Sequence, residues 1–119
     1  MTVHGSYLVT RREGDVLIIG FLRADVIDLD YIRCAGDELE ALVNAENPPR
    51  LIIDFEGVRY LSSPALSLLV SLSDDVRTRK GDLRIANVAD EVYAMFRLAK
   101  IPDLIETHRT MATAVRSMH

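Results

Sequence analysis

The segment at residues 51–55 restricts the fold of this chain more than any other feature. It reads Leu-Ile-Ile-Asp-Phe and is apolar at both odd and even positions, which is typical of a strand buried on both of its faces. Such a strand lies in the middle of a sheet that is covered by helices. The segment therefore predicts a central parallel strand in an α/β fold.

Two β-rich runs precede that strand, at residues 7–12 and 16–22. They are separated by a short connection in which Gly14 can adopt a positive φ, so we expect an antiparallel hairpin. From Asp28 onwards the apolar residues recur at helical spacing until a pair of prolines. This pattern predicts the first helix, with Asp28 or Asp30 as its N-cap.

The second helix is predicted to begin at the pair Ser63-Pro64. A residue that precedes proline is pushed out of the α region, which suits an N-cap, and proline suits the first helical position. The helix then continues towards Gly81, and we expect its apolar stripe to be buried against the sheet. The stripe consists of Leu66, Leu69, Val70 and Val76.

The rest of the chain repeats the same alternation. Residues 83–86 predict a strand, Asp90 is expected to cap a short helix, residues 104–107 predict a weak strand, and Thr110 is expected to cap a last helix. The order ββαβαβαβα predicts a mixed, mostly parallel sheet of about five strands. We expect a single α/β domain over residues 1–119, because the chain is about one domain long.

Charge and cysteine content exclude several classes of protein. The chain has 14 basic and 18 acidic side chains, whereas binding to nucleic-acid phosphates or to an anionic membrane surface needs a basic face. The single Cys34 excludes an internal disulfide and a cysteine-based zinc site, and it fits a reduced cytosol. No apolar run approaches the ~18 residues of a membrane span, and the N-terminus lacks the pattern of a signal peptide. We therefore expect an unprocessed cytoplasmic protein without direct nucleic-acid binding or membrane insertion.

The sequence contains none of the common signatures of catalysis, such as a phosphate loop, a dinucleotide-binding glycine motif or a nucleophile elbow. His4, His108 and His119 are expected to be solvated side chains, and only His108 stays open as a base or ligand. Cys34 is expected to be a small buried hydrophobe, with a reactive thiol as the alternative. We predict a protein that is not an enzyme and that has no catalytic residues, no metal and no cofactor.

Asp54 is more suggestive, because it ends the central strand, where the ligand sites of open α/β sheets lie. Two interpretations stay open. Asp54 either takes part in a site, or it accepts hydrogen bonds from the backbone N–H groups of the loop at residues 56–58.

The serine pair Ser62-Ser63 lies on the loop between a predicted strand and an apolar helix. One interpretation is structural, because a serine hydroxyl at a helix N-terminus satisfies a free amide. The other is regulatory, because the charge of a phosphate, about −2, is favoured at the positive end of the helix dipole. A phosphoserine at this position would leave the helix folded.

Residues 51–66 resemble the central motif of the STAS domain, the family of bacterial anti-sigma factor antagonists. They read LIIDFEGVRYLSSPAL, which is similar to the family pattern of an apolar strand ending in aspartate, a glycine–valine loop, Asp-Ser-Ser-Gly and a leucine-containing helix. The resemblance extends over nearly the whole chain, since residues 81–85 are similar to the family's fourth strand and residues 92–105 to its third helix and following strand. It implies a mixed sheet with helices on one side.

The resemblance also implies which residues act. In the family the second serine of the motif is phosphorylated, which corresponds to Ser63, and Ser62 corresponds to its neighbour. Asp25 is similar to an acidic residue that assists phosphorylation and partner binding, and Pro64 lies in the same partner-binding loop. Two positions depart from the motif, since Leu61 replaces its aspartate and Pro64 replaces its glycine. These departures remove one nearby carboxylate and one backbone N–H donor.

By this resemblance the chain is expected to be a phosphorylation-switched module that binds an anti-sigma factor with serine kinase activity and so regulates sigma-factor-dependent transcription. A homodimer is compatible with this role. Leu61 and Pro64 leave an alternative open, a STAS subunit that docks on the ATPase of a lipid-transport ABC complex without phosphorylation. A small enzyme that uses Asp54, His108 or Asp25 is a third hypothesis, and no visible pair of nucleophile and base supports it.

Overall fold

The computed structural model describes residues 2–119, and it describes the side chains of all of them except His4. The prediction of a solvated His4 side chain therefore lies outside the described part. Within residues 2–119 there are eight strands, four helices and one 3₁₀ turn. The strands are β1 (Thr2–His4), β2 (Leu8–Glu13), β3 (Val16–Phe21), β4 (Asp25–Val26), β5 (Arg50–Asp54), β6 (Tyr60–Leu61), β7 (Asp82–Ala86) and β8 (Glu106–Thr107). The helices are α1 (Leu29–Asn44), α2 (Ser63–Thr78), α3 (Asp90–Leu98) and α4 (Met111–Ser117), and the 3₁₀ turn covers Ile101–Asp103.

The main sheet has six strands in the order β1-β2-β3-β5-β7-β8. Pairing is antiparallel from β1 to β3 and parallel from β3 to β8, which confirms the mixed, mostly parallel α/β fold. Strand β5 lies between β3 and β7, and Leu51, Ile52 and Ile53 are fully buried in it. The double-sided apolar run of residues 51–55 thus identified the central strand correctly.

The two faces of the sheet are covered unequally. Ile53 belongs to a large core cluster that includes residues of α1, α2 and α3. Its neighbour Ile52 points to the opposite face, where a small cluster holds Ala114 and Met118 from the last helix and its end. Three helices therefore cover one face and α4 covers the other, which confirms that the helices pack mainly on one side.

Local capping and turn chemistry explains several element boundaries. Gly14 has a φ of +63° in the turn between β2 and β3, as predicted for the hairpin. Asp28 is the N-cap of α1, and its carboxylate accepts hydrogen bonds from the N–H groups of Asp30 (2.9 Å) and Tyr31 (3.3 Å). The hydroxyl of Thr110 accepts from the N–H of Thr113 at 3.2 Å, which confirms it as the cap of α4.

Two predicted caps are wrong by one residue. Helix α2 begins at Ser63 with Ser62 as its N-cap, so Pro64 is the second helical residue and not the first. The reason is that the N–H of Ser62 donates to the carbonyl of Val26 (3.1 Å), which holds Ser62 in an extended conformation just before the helix. Similarly, Asp90 is the first residue of α3 and Ala89 is the N-cap.

The buried face of α2 differs in part from the predicted stripe. Leu69 and Val76 are buried as predicted, at 1% and 2% exposed. Leu66 and Val70 are only half-buried, although both pack against the core cluster. The helix is thus turned about its axis relative to the expectation. Its buried residues are Ala65, Leu69, Leu72, Ser73 and Val76.

Three short strands were not predicted, β1, β4 and β6, and β4 and β6 form a small sheet of their own. The weak strand expected at residues 104–107 is shorter than predicted, because the 3₁₀ turn at Ile101–Asp103 precedes it and only Glu106–Thr107 pair with β7. None of the helices found in residues 2–119 has the length and apolar content that crossing a membrane requires.

Candidate functional site

The serine pair lies at a tip of the molecule where two helices begin. Strands β4 and β6 pair in parallel there, with Asp25 opposite Tyr60 and Val26 opposite Leu61. Each strand leads directly into a helix, β4 into α1 and β6 into α2. Backbone hydrogen bonds fix the two connections to one another, from the Arg59 N–H to the Ala24 carbonyl (2.8 Å) and from Ser62 to Val26. We call this small sheet and the two helix starts the serine tip.

Side chains of the small sheet alternate between the core and the surface. Val26 and Leu61 are 0% and 3% exposed and belong to the main core cluster. Asp25 and Tyr60 are exposed on the outer side. The expectation that Leu61 merely removes a carboxylate near the phosphorylation site is therefore incomplete, since the side chain at position 61 points into the core.

The two serines have different environments. Ser62 is half-buried, and its hydroxyl lies 3.4 Å from the carbonyl oxygen of Val26 and does not cap the helix. Ser63 is exposed, and within residues 2–119 its hydroxyl makes no hydrogen bond. Pro64 is also exposed. The structure thus places Asp25, Ser62, Ser63 and Pro64 together at the serine tip, and it leaves the Ser63 hydroxyl accessible.

The start of α2 is electrostatically suited to an anion. Its first turn has no acidic side chain, and the helix dipole places partial positive charge there. The N–H of Leu66 already donates to the Ser62 carbonyl, and Pro64 has no N–H. In the first turn the N–H groups of Ser63 and Ala65 therefore remain available to a phosphate. This helix start offers a phosphate fewer N–H donors than an ordinary one does.

A concavity opens beside the serine tip on the outer side of the small sheet. Helix α3 packs against β6, which brings Glu91 from the first turn of α3 to the same hollow. Sequence reasoning missed this hollow, because its residues come from three separate segments. The lining consists of Asp25, Ile27, Arg59, Tyr60 and Glu91.

Asp54 has a structural role in its own loop. Its Oδ1 atom accepts hydrogen bonds from the backbone N–H of Glu56 (3.0 Å) and from the side-chain amide of Asn87 (2.9 Å). Gly57 completes the turn with a φ of +82°. The interpretation of Asp54 as an acceptor for this loop is confirmed for the Glu56 N–H, and Asn87 adds a link to the end of β7.

His108 is not a freely solvated side chain. Its Nδ1 atom lies 3.0 Å from the hydroxyl of Thr113 on α4, and its Nε2 atom lies 2.9 Å from a carboxylate oxygen of Glu106 on β8. The ring is 14% exposed, and it lines a cavity with Tyr93 and Arg109 at the ends of β7 and β8. His108 therefore links the sheet edge to α4, whereas His119 is exposed as expected.

Cys34 is half-buried in α1, so the prediction of a small buried hydrophobe is only partly right. The neighbouring Cys34 thiol is the main cause that raises the pKa of Tyr7 above its ordinary value, and the Glu38 carboxylate acts in the same direction. The pKa shift concerns a tyrosine beside the hydrophobic core and is remote in sequence from the serine tip.

Within residues 2–119, no three side chains of the metal-ligating types are grouped so that they could hold a metal ion. The family model of the STAS domain matches residues 8–114. This range includes all the residues of the serine tip and the whole parallel part of the main sheet. No curated protein sequence matches the chain.

Several solved structures are similar to this fold. An anti-sigma-factor antagonist (STAS) domain protein from Planctomyces limnophilus has a TM-score of 0.82 and 19% identity, with 93% of this chain and 97% of that chain covered. An anti-sigma factor antagonist from Mycobacterium paratuberculosis has a TM-score of 0.81 and 15% identity, covering 93% and 92%. The phosphorylated form of SpoIIAA, a Bacillus cell fate determinant, has a TM-score of 0.69 and 10% identity, covering 94% and 99%. At these identities the similarity establishes the fold.

Proposed function

The chain belongs to the STAS domain family, and from this premise we propose that it is an anti-sigma factor antagonist whose partner binding is switched by phosphorylation of Ser63. In this proposal the unphosphorylated domain binds an anti-sigma factor in the cytoplasm and so frees a sigma factor for transcription. The anti-sigma factor is itself a serine kinase, and the phosphate that it adds to Ser63 ends the interaction. The chain does no chemistry of its own.

The observation that carries the proposal is the position of Ser63. Its hydroxyl is exposed on the first residue of α2, and within residues 2–119 no other group binds it. A kinase needs an accessible hydroxyl on a loop or at a helix end that a second protein can approach. The helix does not depend on this hydroxyl for capping, so its modification leaves the fold intact.

The charge around Ser63 supports the direction of the switch. A phosphate adds a charge of about −1.5 to −2, which the positive end of the α2 dipole tolerates. Because Pro64 offers no N–H, the backbone compensates this charge only in part. The remaining negative charge faces any bound partner, so phosphorylation changes the docking surface more than it changes the stability of the domain.

We propose that Asp25, besides Ser63, contacts the anti-sigma factor. It is exposed on β4, and the next residue, Val26, accepts the N–H of Ser62, so both segments belong to one continuous surface. Ser62, Ser63 and Pro64 form the rest of that surface. A basic side chain of the partner that approaches Asp25 would therefore reach Ser63 as well, which suits a kinase that recognises and modifies the same tip.

The fold is compatible with such a modification in a similar protein. SpoIIAA has solved structures in both its phosphorylated and its unphosphorylated form. Its identity to this chain is 10% in the phosphorylated form, so the support concerns the fold alone. The phosphorylation of Ser63 in this chain needs a separate experiment.

That test is a phosphorylation assay with the anti-sigma factor kinases of the source organism, each purified and mixed with the domain and ATP. We expect phosphate on wild type and on Ser62→Ala, located by phosphopeptide mapping, and none on Ser63→Ala. Ser63→Asp should keep the thermal stability of wild type and bind the kinase more weakly, because it places a negative charge at the tip. The matched control is Ser62→Asp, which alters the half-buried serine.

Equal phosphorylation of wild type and Ser63→Ala would refute the assignment of this serine. If a partner binds tightly while no variant is phosphorylated, the departures Leu61 and Pro64 have removed the switch. The alternative role, docking on the ATPase of a lipid-transport ABC complex, then becomes the better one. Titration of the domain with such an ATPase distinguishes the two functions directly.

A further inference from the structure

The concavity beside the serine tip unites three segments that are far apart in the sequence. Asp25 and Ile27 come from β4 and its end, Arg59 and Tyr60 come from the start of β6, and Glu91 comes from α3. The contact between α3 and β6 holds the third segment in place. The hollow is therefore a product of tertiary packing, and its shape is fixed by the same small sheet that positions Ser63.

The charged groups of this hollow have no partners of their own. Most arginines of the described residues lie close to a carboxylate; Arg109, for example, lies 3.5 Å from Asp90. Within residues 2–119, Asp25, Arg59 and Glu91 form neither an ion pair nor a side-chain hydrogen bond. The dipole of α3 favours an acidic residue in its first turn, but Asp90 already supplies one.

Two apolar side chains lie among these charges. Ile27 is 49% exposed and Tyr60 is 52% exposed, and both lie on the outer side of the small sheet, whose inner residues are buried. An exposed tyrosine with an aliphatic neighbour, surrounded by charged groups, has the composition of a binding hot spot with a polar rim. The two carboxylates outnumber the one guanidinium, so the hollow favours a cationic side chain.

We propose that this hollow is a specificity pocket for the anti-sigma factor, and that Glu91 and Tyr60 decide which partner binds. The occupant is a partner segment with a basic side chain next to an apolar one. The basic group pairs with Glu91 and Asp25, the apolar group covers Ile27 and Tyr60, and Arg59 donates hydrogen bonds to a carboxylate of the partner at the edge. This inference rests on the proposed function and extends its contact surface from the serine loop to α3.

The experiment measures binding of the anti-sigma factor that phosphorylates the wild-type domain, by surface plasmon resonance at about 0.05 M and about 0.5 M salt. Glu91→Lys should weaken binding by about tenfold or more at low salt, mainly through slower association, and by less at high salt, because charge pairs at an interface are screened. Glu91→Gln should act in the same direction with a smaller effect. Tyr60→Ala should weaken binding by about tenfold at both salt concentrations, because its contact is apolar.

The matched control is Asp103→Lys, which makes the same change of charge at an exposed acidic residue beyond the other end of α3. It should bind within about twofold of wild type. If Glu91→Lys, Glu91→Gln and Tyr60→Ala all bind like the control while wild type is still phosphorylated at Ser63, the specificity pocket is refuted and the proposed function stands. If no anti-sigma factor binds or phosphorylates the wild-type domain, the proposed function fails and this inference fails with it.

Discussion

The buried position of Leu61 leads to a prediction about the motif itself. Leu61→Asp restores the aspartate of the family pattern, yet it should destabilise this domain strongly and not improve the site. The reason is that the side chain at this position is 3% exposed and packs in the main core cluster. A surface interpretation of Leu61 would predict an effect within about 0.5 kcal/mol.

The expected magnitude has two parts. Removing a buried leucine from its apolar environment costs about 1.5–3 kcal/mol. Burial in the same place disfavours the charged form of a carboxyl group, and so it raises the pKa of the introduced carboxyl group above the value of about 3.9 in the unfolded chain. The folded variant therefore keeps its proton at pH values where the unfolded variant has lost it. Each unit by which the folded-state pKa exceeds the unfolded-state pKa lowers the free energy of unfolding at high pH by about 1.4 kcal/mol. Burial that raises this pKa by about 2 units adds about 3 kcal/mol at pH 8, and the resulting total loss of roughly 4–6 kcal/mol would remove much of the about 5–15 kcal/mol that holds a typical domain together.

The sign of the pH dependence follows from the same argument. Above pH ~3.9 the unfolded variant releases its proton while the folded variant retains it, so the unfolded state is increasingly favoured as pH rises. The free energy of unfolding of Leu61→Asp, relative to wild type, should therefore fall between pH 5 and pH 8. The decline ends once the pH exceeds the raised pKa of the folded form. Leu61→Asn, which has a similar shape and no ionisation, should show a constant loss over this range.

The assay is urea unfolding of wild type, Leu61→Asp, Leu61→Asn and Tyr60→Asp, at about pH 5 and about pH 8. Tyr60→Asp is the matched control, because it places the same carboxylate on the adjacent outward position, which is 52% exposed. It should lose much less stability than Leu61→Asp and respond less to pH, since its new carboxylate is solvated and meets only the exposed Asp25 on the opposite strand. The reasoning is refuted if Leu61→Asp and Tyr60→Asp lose similar stability, or if Leu61→Asp and Leu61→Asn respond identically to pH.

Two further predictions test the fold around the site. Leu69→Ala should lower the free energy of unfolding by about 2–5 kcal/mol, because Leu69 is 1% exposed. Leu66→Ala, at a half-buried position of the same helix, should lower it by less. Equal losses of stability in urea unfolding would contradict the observed rotation of α2 about its axis. Arg50 lowers the pKa of the Asp15 carboxyl below its usual value, chiefly through their hydrogen bond. This carboxylate therefore stabilises the fold above its unfolded pKa, and the stability is lost as pH falls through the lowered value. Asp15→Asn should unfold more easily than wild type at pH 7, and the difference between the two should shrink as the pH is lowered through the acid range. A difference that does not change with pH would contradict this.

The sequence was sufficient to predict the elements whose signals are local. The double-sided apolar run of residues 51–55 identified the central strand, and Gly14, Asp28 and Thr110 marked a turn and two helix starts through their own backbone or side-chain chemistry. Strands β4 and β6 escaped prediction because two residues show no period of alternation. They form only because two loops that are distant in the sequence pair with one another, and the local propensity of each loop does not indicate that pairing.

The residues of the candidate site also differ in whether a local sequence signal predicts them. The exposure of Ser63 was predicted correctly, since a serine before proline at the start of an apolar helix is a local signal, although Ser63 is the first helical residue and not the N-cap. Glu91 gives no local signal of a binding role, because the helix dipole alone explains an acidic residue in the first turn of a helix. Its place beside Tyr60 depends on how α3 packs against β6, and so only the tertiary structure reveals it.

The shift of one residue at the start of α2 changes the balance between the two interpretations of the serine pair. Had Ser63 been the N-cap, its hydroxyl would have held a free N–H of the helix, and an alanine there would have cost about 1 kcal/mol of helix stability. Ser62 takes the cap position instead, where its backbone N–H and its hydroxyl both donate to the Val26 carbonyl, and its side chain accepts no N–H of the helix. The helix start is therefore maintained by the pairing of β4 and β6, and the Ser63 hydroxyl has no part in it. A change at Ser63 acts on the surface of the domain while the fold beneath it stays the same.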